Sequence, residues 1–448
     1  MATASTDQGS GARRSAWRTG ATLLIGAVLL GTGTARPRAE SIESVMGMAL
    51  RSSFDRKADD ERQAGVEAQL RGSYEAFLPT VGYAVNRRLD SKITYTPDIF
   101  TDPLAPSALD TVPRRQANEE GFLLTMPLFD GLRRFNDMQA ARSAVAAGRG
   151  LQNDKAQQIL LDTASAYLAV LRDRAIVRLR EAGLADVRKV SRSVAVRREV
   201  HDATNAEAAL AESRVTAAES ALEQARANLA TAEIELARLA GAGANPSQLP
   251  QVPNALLPNS AEELRGILLD SNGRLAAARL SADAAAYTAR AAYSQFSPQL
   301  NLVFTHARRG IVSNTPYKVQ DTTTLLQALI PIYQPGAFSN LSREHAVARQ
   351  KDYEALDLER ALLAQATAAF HQRRSTIQQV AQAEQRVRKI ARAVQGRQME
   401  LRLGSMTTVD VLNTVAELAE ARIAKINLEF ARDRATYALA AAMNRLRA

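Results

Sequence analysis

The stretch Tyr74-Glu75-Ala76-Phe77-Leu78-Pro79 recurs later in the chain as Tyr293-Ser294-Gln295-Phe296-Ser297-Pro298. A second stretch, Met126-Pro127-Leu128-Phe129-Asp130, recurs as Ile330-Pro331-Ile332-Tyr333-Gln334, which places the two prolines 204 residues apart. In each copy a Tyr-x-x-Phe-x-Pro sequence comes first and a Pro-x-aromatic sequence follows it. This repeated order predicts a duplicated structural unit.

A third pair of stretches extends the duplication further along the chain. Residues 203–208 (Ala-Thr-Asn-Ala-Glu-Ala) correspond to residues 406–411 (Met-Thr-Thr-Val-Asp-Val), and Glu207 and Asp410 are 203 residues apart. Because the offset is nearly constant, each unit is expected to keep one order of elements: a strand, a long loop, a strand and two long helices. That order predicts a small share of a β-barrel joined to a long α-helical tube.

The N-terminal residues 1–39 have the features of a secretory signal peptide. Three arginines precede the apolar residues 21–30, and small residues follow, so that cleavage is expected after Ala35 or Ala39. The alternative is a transmembrane anchor, but a spanning helix needs about 20 apolar residues and this stretch is much shorter. No later stretch is long and apolar enough for such a helix, so a membrane-embedded part would have to consist of strands.

Composition excludes several classes of function. The 448-residue chain contains no cysteine, which excludes disulfides, thiolate metal sites and a cysteine nucleophile. The formal net charge is +10, but arginine and glutamate alternate along the helical segments, as they do between Glu219 and Arg238. Interleaved charges of both signs are typical of solvated helix faces and not of a stripe that binds phosphates. The sequence therefore predicts no nucleic-acid partner.

The first repeat is expected over residues 40–240. It opens with a single helix from Ser41 to about Ser73, in which the Ser41 side chain suits the N-cap position. Alternating apolar residues then predict strands at about residues 80–90 and 119–127.

The rest of the first repeat, residues 131–240, is expected to form an antiparallel coiled-coil hairpin. The stretch from Gly131 to about Val200 contains no proline. Its partner helix has a heptad repeat in which many of the apolar positions are alanine, so the two backbones must approach closely. The a and d positions of the partner are Ala208, Ala211, Val215, Ala218, Leu222, Ala225, Leu229, Ala232, Leu236 and Leu239.

The second repeat is expected over residues 261–448, after a linker of glycines and prolines at 241–260. Its strands are predicted at about residues 299–309 and 321–331. Its coiled-coil hairpin is predicted over residues 337–446.

Four prolines mark the junctions between the expected strands and helices: Pro79, Pro127, Pro298 and Pro331. The strands are about 9–11 residues long, which is the length of a tilted strand that crosses a bilayer. A soluble hairpin would show the same pattern, but the signal peptide and the duplication favour a membrane barrel. Four strands cannot close a barrel, and lipid does not tolerate an open sheet edge, so several chains must share it.

These sequences together resemble the TolC-type outer-membrane channel proteins over roughly residues 41–446. Besides the paired motifs, the resemblance rests on Ala-Tyr-Leu-Ala-Val-Leu-Arg-Asp-Arg at 166–174 and Gly-Ser-Met-Thr-Thr-Val-Asp-Val-Leu at 404–412. It implies a mixed α/β membrane protein, mostly α, in which a unit of two β-strands plus long antiparallel coiled-coil helices is duplicated. It also implies a homotrimer, with a 12-stranded β-barrel in the outer membrane of a Gram-negative bacterium and a continuous α-helical barrel in the periplasm.

The resemblance further implies partners and a function. The helical tip would meet a periplasmic adaptor (membrane fusion) protein and an inner-membrane ABC or RND transporter, and the strands would contact outer-membrane lipid. The expected function is the passive exit duct of a tripartite export system, and segment 166–174 slightly favours type I protein secretion over multidrug efflux. The alternative of another class is a soluble periplasmic coiled-coil scaffold, which has no need of bilayer-length strands.

The acidic residues Glu207 and Asp410 are candidates for a pore constriction because each lies just beyond a helical turn. Three chains would place six such carboxylates near one axis, and a ring of carboxylates favours cations. The alternative is a carboxylate that only complements the dipole at a helix N-terminus. The resemblance implies that Asp410 lines the constriction, with Asn413 in the place of the family's second aspartate.

The turns themselves, at His201 and Gly404, are candidates for adaptor contact and gating. Thr204 and Thr407 keep the family's turn residue, whereas Met406 replaces an arginine that often precedes it. The glycine suits a left-handed position after a helix, and the histidine takes its place in the first repeat. His201 is interpreted as an exposed turn residue, with a pH sensor as the alternative.

The sequence contains no catalytic motif of the Gly-x-Ser-x-Gly, His-Glu-x-x-His or Gly-x-x-x-x-Gly-Lys type. The histidines are not spaced to share a metal ion. We therefore expect no enzymatic activity, no cofactor and no metal.

Overall fold

The structure is a computed structural model that describes residues 41–87, 116–241, 243–248, 257–312, 317–403 and 405–447. The expected signal peptide, the last three residues of the first predicted strand and Gly404 lie outside the described residues.

The N-terminal region forms two helices and not the single helix predicted, α1 (Ile42–Ser52) and α2 (Phe54–Glu75). The prediction of Ser41 as an N-cap is confirmed, because its hydroxyl accepts a hydrogen bond from the Ser44 N–H at 3.3 Å. The break is at Ser53, whose backbone is extended and whose hydroxyl accepts from the N–H of Arg56 at 3.2 Å. A serine in this position therefore ends one helix and caps the next.

A single antiparallel sheet joins the two repeats. Its strands are β1 (Thr80–Arg87), β2 (Gln116–Phe129), β3 (Gln299–Val312) and β4 (Tyr317–Leu329), in the spatial order β1-β2-β3-β4. The central pair, β2 and β3, comes from different repeats. The duplicated strand pairs thus share one sheet, with β1 and β4 at its edges.

The ends of two strands differ from the prediction, that of β2 in the first repeat and that of β4 in the second. Pro127 does not end β2, because β3 continues to pair with it up to Phe129 opposite Leu300. The register shifts between Pro127 and Phe129, and a proline is tolerated at such an irregularity. β4 ends at Leu329, two residues before Pro331.

The second hairpin is also tighter than predicted. The predicted loop included Gly310, but this residue lies in β3 opposite Lys318, and pairing continues to Ile311 opposite Tyr317. Glycine weakens a strand but does not stop it where a partner strand is present.

The two long hairpins follow the strands. The first consists of α3 (Arg133–Glu199) and α4 (Asn205–Ala240), and the second of α7 (Ala337–Arg402) and α8 (Thr408–Ala442). With 67 residues, α3 is about 100 Å long. The predicted heptad of α4 is confirmed at the positions that are buried: Ala208, Ala211, Leu222, Ala225 and Leu236.

The lateral neighbours of α3 change along its length. Near the sheet it packs against α2 and against α6 (Gly273–Ala292), which follows α5 (Ala261–Ser271). Gly150 and Gly273 let α3 and α6 touch, because a Cβ on either glycine would meet the other's carbonyl oxygen at 2.7 or 2.6 Å. Burial beside this contact raises the pKa of the Asp154 carboxyl, and the charge of Arg274 offsets part of the rise.

Farther from the sheet, α3 packs against α4 on one side and against α8 on the other, and α8 packs against α7. A hydrophobic core forms where α1 meets α3, α4, α5 and α8. It includes Ile42, Met46, Tyr167, Leu268 and Leu439. None of the helices in the described ranges is long and apolar enough to cross a membrane.

Candidate functional site: helical tips and strand–helix junctions

The turn between α3 and α4 is closed by two backbone hydrogen bonds. The N–H of Asp202 donates to the carbonyl of Arg197 at 2.8 Å, and the N–H of His201 donates to that of Arg198 at 3.1 Å. This pattern requires a left-handed residue between the helix and the following chain, and His201 has a φ of 61°. The sequence comparison with Gly404 therefore located a residue under backbone strain.

The N-terminus of α4 is closed by a reciprocal capping box. The Thr204 hydroxyl accepts from the Glu207 N–H at 3.1 Å, and the Glu207 carboxylate accepts from the Thr204 N–H at 3.0 Å. The Glu207 side chain thus has a local structural role, which is the simpler of the two interpretations that its sequence position allowed.

The second tip has the same plan. The N–H of Ser405 donates to the carbonyl of Glu400 at 3.0 Å, as Asp202 does in the first turn. The Thr407 hydroxyl accepts from the Asp410 N–H at 3.3 Å and donates to Asp410 Oδ2 at 2.6 Å. Asp410 Oδ1 accepts no hydrogen bond from any residue that the structure describes, so half of this carboxylate remains available.

Arg197 joins the two tips. Its guanidinium donates to the Asp202 carboxylate at 2.8 Å and to the Asp202 carbonyl at 2.9 Å, both in the first turn. It also donates to the Thr408 hydroxyl of α8 at 3.2 Å. The two turns are therefore held side by side within one chain.

The predicted residues Asn413 and Met406 also contact arginines. Asn413 Oδ1 accepts from Arg214 of α4 at 2.9 Å, so this amide is directed at the first hairpin. The Met406 sulfur lies 3.4 Å from Nη1 of Arg397. The sequence did not single out Arg197 or Arg214. A heptad pattern predicts how the two helices of one hairpin pack, but it does not predict which residues contact the other hairpin.

An open groove of about 250 Å³ runs between α3, α4 and α8 behind the tips. Small residues line much of it, including Gly183, Ala217 and Ala416. The chemistry available here is binding and electrostatics, because the described residues contain no group of three or more His, Asp or Glu that could hold a metal.

The Tyr-x-x-Phe-x-Pro motif acts at the first strand–helix junction. The Tyr74 hydroxyl accepts from Arg142 of α3 at 2.7 and 2.9 Å. The guanidinium of Arg134 lies over the Phe77 ring at 5.2 Å and donates to Asp130 and to the carbonyls of Ala76 and Pro127.

The second copy of the motif makes contacts of the same kind. The Tyr293 hydroxyl lies 3.0 Å from a ring nitrogen of His345, and the Phe296 ring packs against Phe338 at 4.8 Å. Pro79 and Pro298 directly precede β1 and β3. The duplicated motif therefore fastens each first strand to the helix that follows the strand pair.

Segment 166–174 holds the linker between the repeats. The Tyr167 hydroxyl donates to the carbonyl of Gln248 at 2.7 Å, and Arg174 donates to Asn245 at 3.0 Å and to the carbonyl of Pro246. These contacts explain the residue types in this segment without reference to an exported substrate.

Comparison with known proteins finds matches of the kind that the sequence motifs resemble. Residues 264–445 match the family described as Outer membrane efflux protein. The chain is 27% identical over 339 residues to the outer membrane efflux protein BepC of Brucella suis biovar 1 (strain 1330), and the alignment covers 75% of this chain and 74% of that protein.

Solved structures share the fold. The outer-membrane channel OprN matches with a TM-score of 0.80 and 14% identity over 90% of both chains. CusC, whose structures concern folding and transmembrane channel formation, matches with a TM-score of 0.78 and 16% identity, over 90% of this chain and 92% of that one.

The solved structures share the fold that the sequence motifs predicted, and the sequence matches are to outer-membrane efflux proteins. The chain is therefore similar in sequence to outer-membrane efflux proteins. The predicted fold class, mostly helical with a small antiparallel sheet, is confirmed.

Proposed function

We propose that three copies of this chain form the passive outer-membrane exit duct of a tripartite export system. The observation that carries the proposal is the four-stranded sheet, whose edge strands β1 and β4 have no further partner within the described residues. Backbone groups at an open edge cannot be left unpaired in lipid. Antiparallel order places β4 of one copy correctly for pairing with β1 of the next, and three copies supply 12 strands.

One face of the sheet suits contact with lipid. Val81, Tyr83 and Val85 of β1 are exposed, and Leu124 and Phe122 lie opposite the first two of them in β2. Apolar residues that alternate with small or polar ones along each strand are typical of a barrel wall.

The helical tips are proposed to meet a periplasmic adaptor protein and, through it, an inner-membrane ABC or RND transporter. His201, Thr204, Met406 and Thr407 lie at the end of the chain farthest from the sheet, together with the groove between α3, α4 and α8. A groove lined by small side chains fits the packing of partner helices.

For the exported substrate, we propose small-molecule efflux first, with type I protein secretion as the alternative. Efflux is supported by the description of the matching family and of BepC. The prediction of secretion rested on segment 166–174, whose contacts with the linker provide a structural reason for its residues. Deletion of the gene should lower the minimal inhibitory concentrations of several toxic compounds and leave the set of secreted proteins unchanged; the reverse result would favour secretion.

The assembly is tested by extracting the outer-membrane fraction with detergent and measuring the mass of the unheated complex. A mass equal to three mature chains is expected. A monomer in the soluble periplasmic fraction would contradict the duct and favour the coiled-coil scaffold.

Asp410 is proposed to form the narrowest, cation-selective ring of the duct. Asp410 and Glu207 each use one carboxylate oxygen at the start of their own helix, Oδ2 with the Thr407 hydroxyl and Oε2 with the Thr204 N–H. The choice between them rests on the sequence resemblance, which implies that Asp410 lines the constriction. Single-channel recording should show that Asp410→Asn lowers cation selectivity while the matched variant Glu207→Gln changes it much less. Unchanged selectivity in Asp410→Asn would refute the assignment.

A further inference from the structure

The curvature of the sheet distinguishes its two faces. In the directly opposed pair Gly121–Ala307 of β2 and β3, both side-chain positions lie on one face. A Cβ added to Gly121 would lie 3.1 Å from the Ala307 Cβ and even closer to the backbone of β3, so the sheet bends toward this face. In a closed barrel this concave face lines the lumen. The convex face, which carries Tyr83 and Phe122, then faces the lipid.

The convex face is mostly apolar over the half of the sheet nearest the helices. Its apolar residues are Leu302, Met126 and Leu326 at one level and Phe304, Leu124 and Val81 at the next. From Leu300 to Arg308, β3 rises about 20 Å along the membrane normal at a strand tilt of about 40°. Ile330 and Ile332 follow β4, are exposed, and extend this apolar band toward the roughly 25 Å that the wall of such a barrel needs.

Polar side chains replace the apolar ones at the other end of the same face. Glu120, Arg308 and Gln320 lie side by side on β2, β3 and β4, and all three are exposed. This end of the sheet points away from the helices, because each strand joins a helical segment at its opposite end. Charged side chains are costly against acyl chains, so this polar row indicates the level at which the hydrocarbon of the outer leaflet ends.

Contacts within the sheet hold the polar row in place. With its amide oxygen turned toward β3, Gln320 accepts from Arg308 Nε at 2.9 Å and from Arg308 Nη2 at 3.2 Å. The Tyr83 hydroxyl extends from the apolar band and is hydrogen-bonded to the Glu120 carboxylate. Arg308 has no ion-pair partner among the residues that the structure describes. A fixed, exposed guanidinium with donors to spare suits a contact with phosphate.

A second arginine lies on the same face. Arg87 of β1 is exposed and likewise lacks an ion-pair partner within the described ranges. It is two strands away from Arg308 and one level farther from the helices, which separates the two residues by about 12 Å. Two unpaired guanidinium groups beyond an apolar band fit a ligand whose acyl chains lie along the band and whose headgroup carries more than one phosphate.

We propose that Arg308 and Arg87 bind the phosphates of an outer-leaflet glycolipid of the lipid A class, whose acyl chains lie against Phe304 and Leu302. The inference rests on the proposed duct, because the convex face must be the outer wall of a closed barrel. It adds a specific lipid site to that wall. Three copies of the chain present the site three times, at one level around the barrel.

The site is tested by adding lipid A to the delipidated protein in detergent and counting the bound lipid by native mass spectrometry. The protein should bind up to three molecules per trimer. The double variant Arg308→Gln, Arg87→Gln should bind about tenfold more weakly, because charge-assisted hydrogen bonds to phosphate are lost. Lipid A without its phosphates should bind the unaltered protein equally weakly. Equal binding of both lipids would overturn the phosphate contact.

Two variants serve as controls. Arg349→Gln removes an exposed guanidinium from α7, about 18 Å beyond the start of that helix, and should leave binding unchanged. Glu120→Gln should bind lipid A at least as tightly as the unaltered protein, because it removes a negative charge beside the phosphate. Weakening in Glu120→Gln equal to that in the double arginine variant would show that the polar row only supports the sheet, and would overturn the site.

Other outcomes separate this proposal from the duct itself. Excess inorganic phosphate should not displace lipid A, and displacement would identify a site for free phosphate instead. A trimer of normal mass in which Arg308→Gln, Arg87→Gln binds lipid A unchanged would overturn the lipid site and leave the duct intact. A protein that is monomeric throughout would refute both.

The level of the polar row has an independent test. The chain has one tryptophan, Trp17 in the expected signal peptide, so Gln320→Trp or Leu326→Trp gives the mature chain a single fluorophore. The two positions lie on one face of β4, about 20 Å apart along the strand. In vesicles of phospholipid brominated at mid-chain, Leu326→Trp should be quenched strongly and Gln320→Trp weakly. Comparable quenching would place the polar row within the hydrocarbon and contradict the lipid site.

Discussion

At the scale of single residues, the first repeat places side chains where the second has glycine. His201 and Leu132 have φ angles of 61° and 65°, and Gly336 takes the position equivalent to Leu132 before α7. A left-handed backbone costs an ordinary L-residue about 1–2 kcal/mol relative to glycine. The duplication allowed this strain at His201 to be predicted, because comparison with Gly404 identified the exceptional residue.

His201→Gly is expected to stabilise the first tip by about 1 kcal/mol, since glycine removes the strain at this φ. Hydrogen exchange of the amides at the end of α3 should become slower. His201→Ala is the control, because alanine removes the imidazole but keeps the strain. Equal protection in both variants would contradict the explanation.

Arg134 was not singled out from the sequence, although it makes more contacts than any residue of the nearby motif discussed above. Arg134→Lys should destabilise the first junction by about 1–3 kcal/mol. The planar guanidinium donates to several acceptors at once, and the single ammonium group of lysine cannot replace all of these hydrogen bonds. Arg133→Lys is a suitable control, since the Arg133 side chain is 67% exposed and lies 3.6 Å from Asp137. The midpoint of thermal unfolding of the extracted complex should be lowered by Arg134→Lys and not by Arg133→Lys.

At the scale of elements, local patterns predicted the strands and long helices but not how they continue or which neighbours they have. Pro127 was expected to end β2, but pairing with β3 carries the strand to Phe129. Likewise, no local pattern marks the break at Ser53 between α1 and α2, which depends on a side-chain hydrogen bond to the N–H of Arg56. The contact of α3 with α6 involves residues more than a hundred positions apart, and a lone Gly150 within a helix gives no indication of its partner.

Gly150→Ala should weaken the packing of α6 on α3. The new Cβ would lie 2.7 Å from the Gly273 carbonyl oxygen, so the helices must move apart. We expect a destabilisation of about 1–3 kcal/mol, measured as a lower midpoint of thermal unfolding. Gly183→Ala is the control: nothing lies within 4 Å of its added Cβ, and higher helix propensity should make it neutral or stabilising.

At the scale of the whole molecule, the sequence predicted the class of protein from two patterns that are weak when taken separately, the alternating strands and the heptads. They carried the prediction because they occur in the same order in both repeats. The strands alone would fit a soluble hairpin, and the heptads alone would fit a scaffold. Their combination on one sheet with two open edges favours an assembly of several copies.

An arginine substitution should have different effects on the two faces of β1. Tyr83→Arg is expected to reduce the amount of heat-resistant oligomer in the outer membrane, because arginine on a lipid-facing position costs about 2–4 kcal/mol near the bilayer centre. Ala84→Arg, on the opposite face, should be tolerated. The reverse order of effects would show that the apolar face lines the lumen.

Because α3 continues far beyond its glycine contact with α6, a small change in the direction of the helix at this contact moves its far end over a large distance. From Gly150 to the end of α3 at Glu199, the helix extends about 74 Å at 1.5 Å per residue. A tilt of only about 5° at the glycine contact would therefore displace the tip by about 6 Å, with little change of packing near the sheet. Because Arg197 ties the turn of α3 to Thr408, the start of α8 would be carried along, and Asp410 with it.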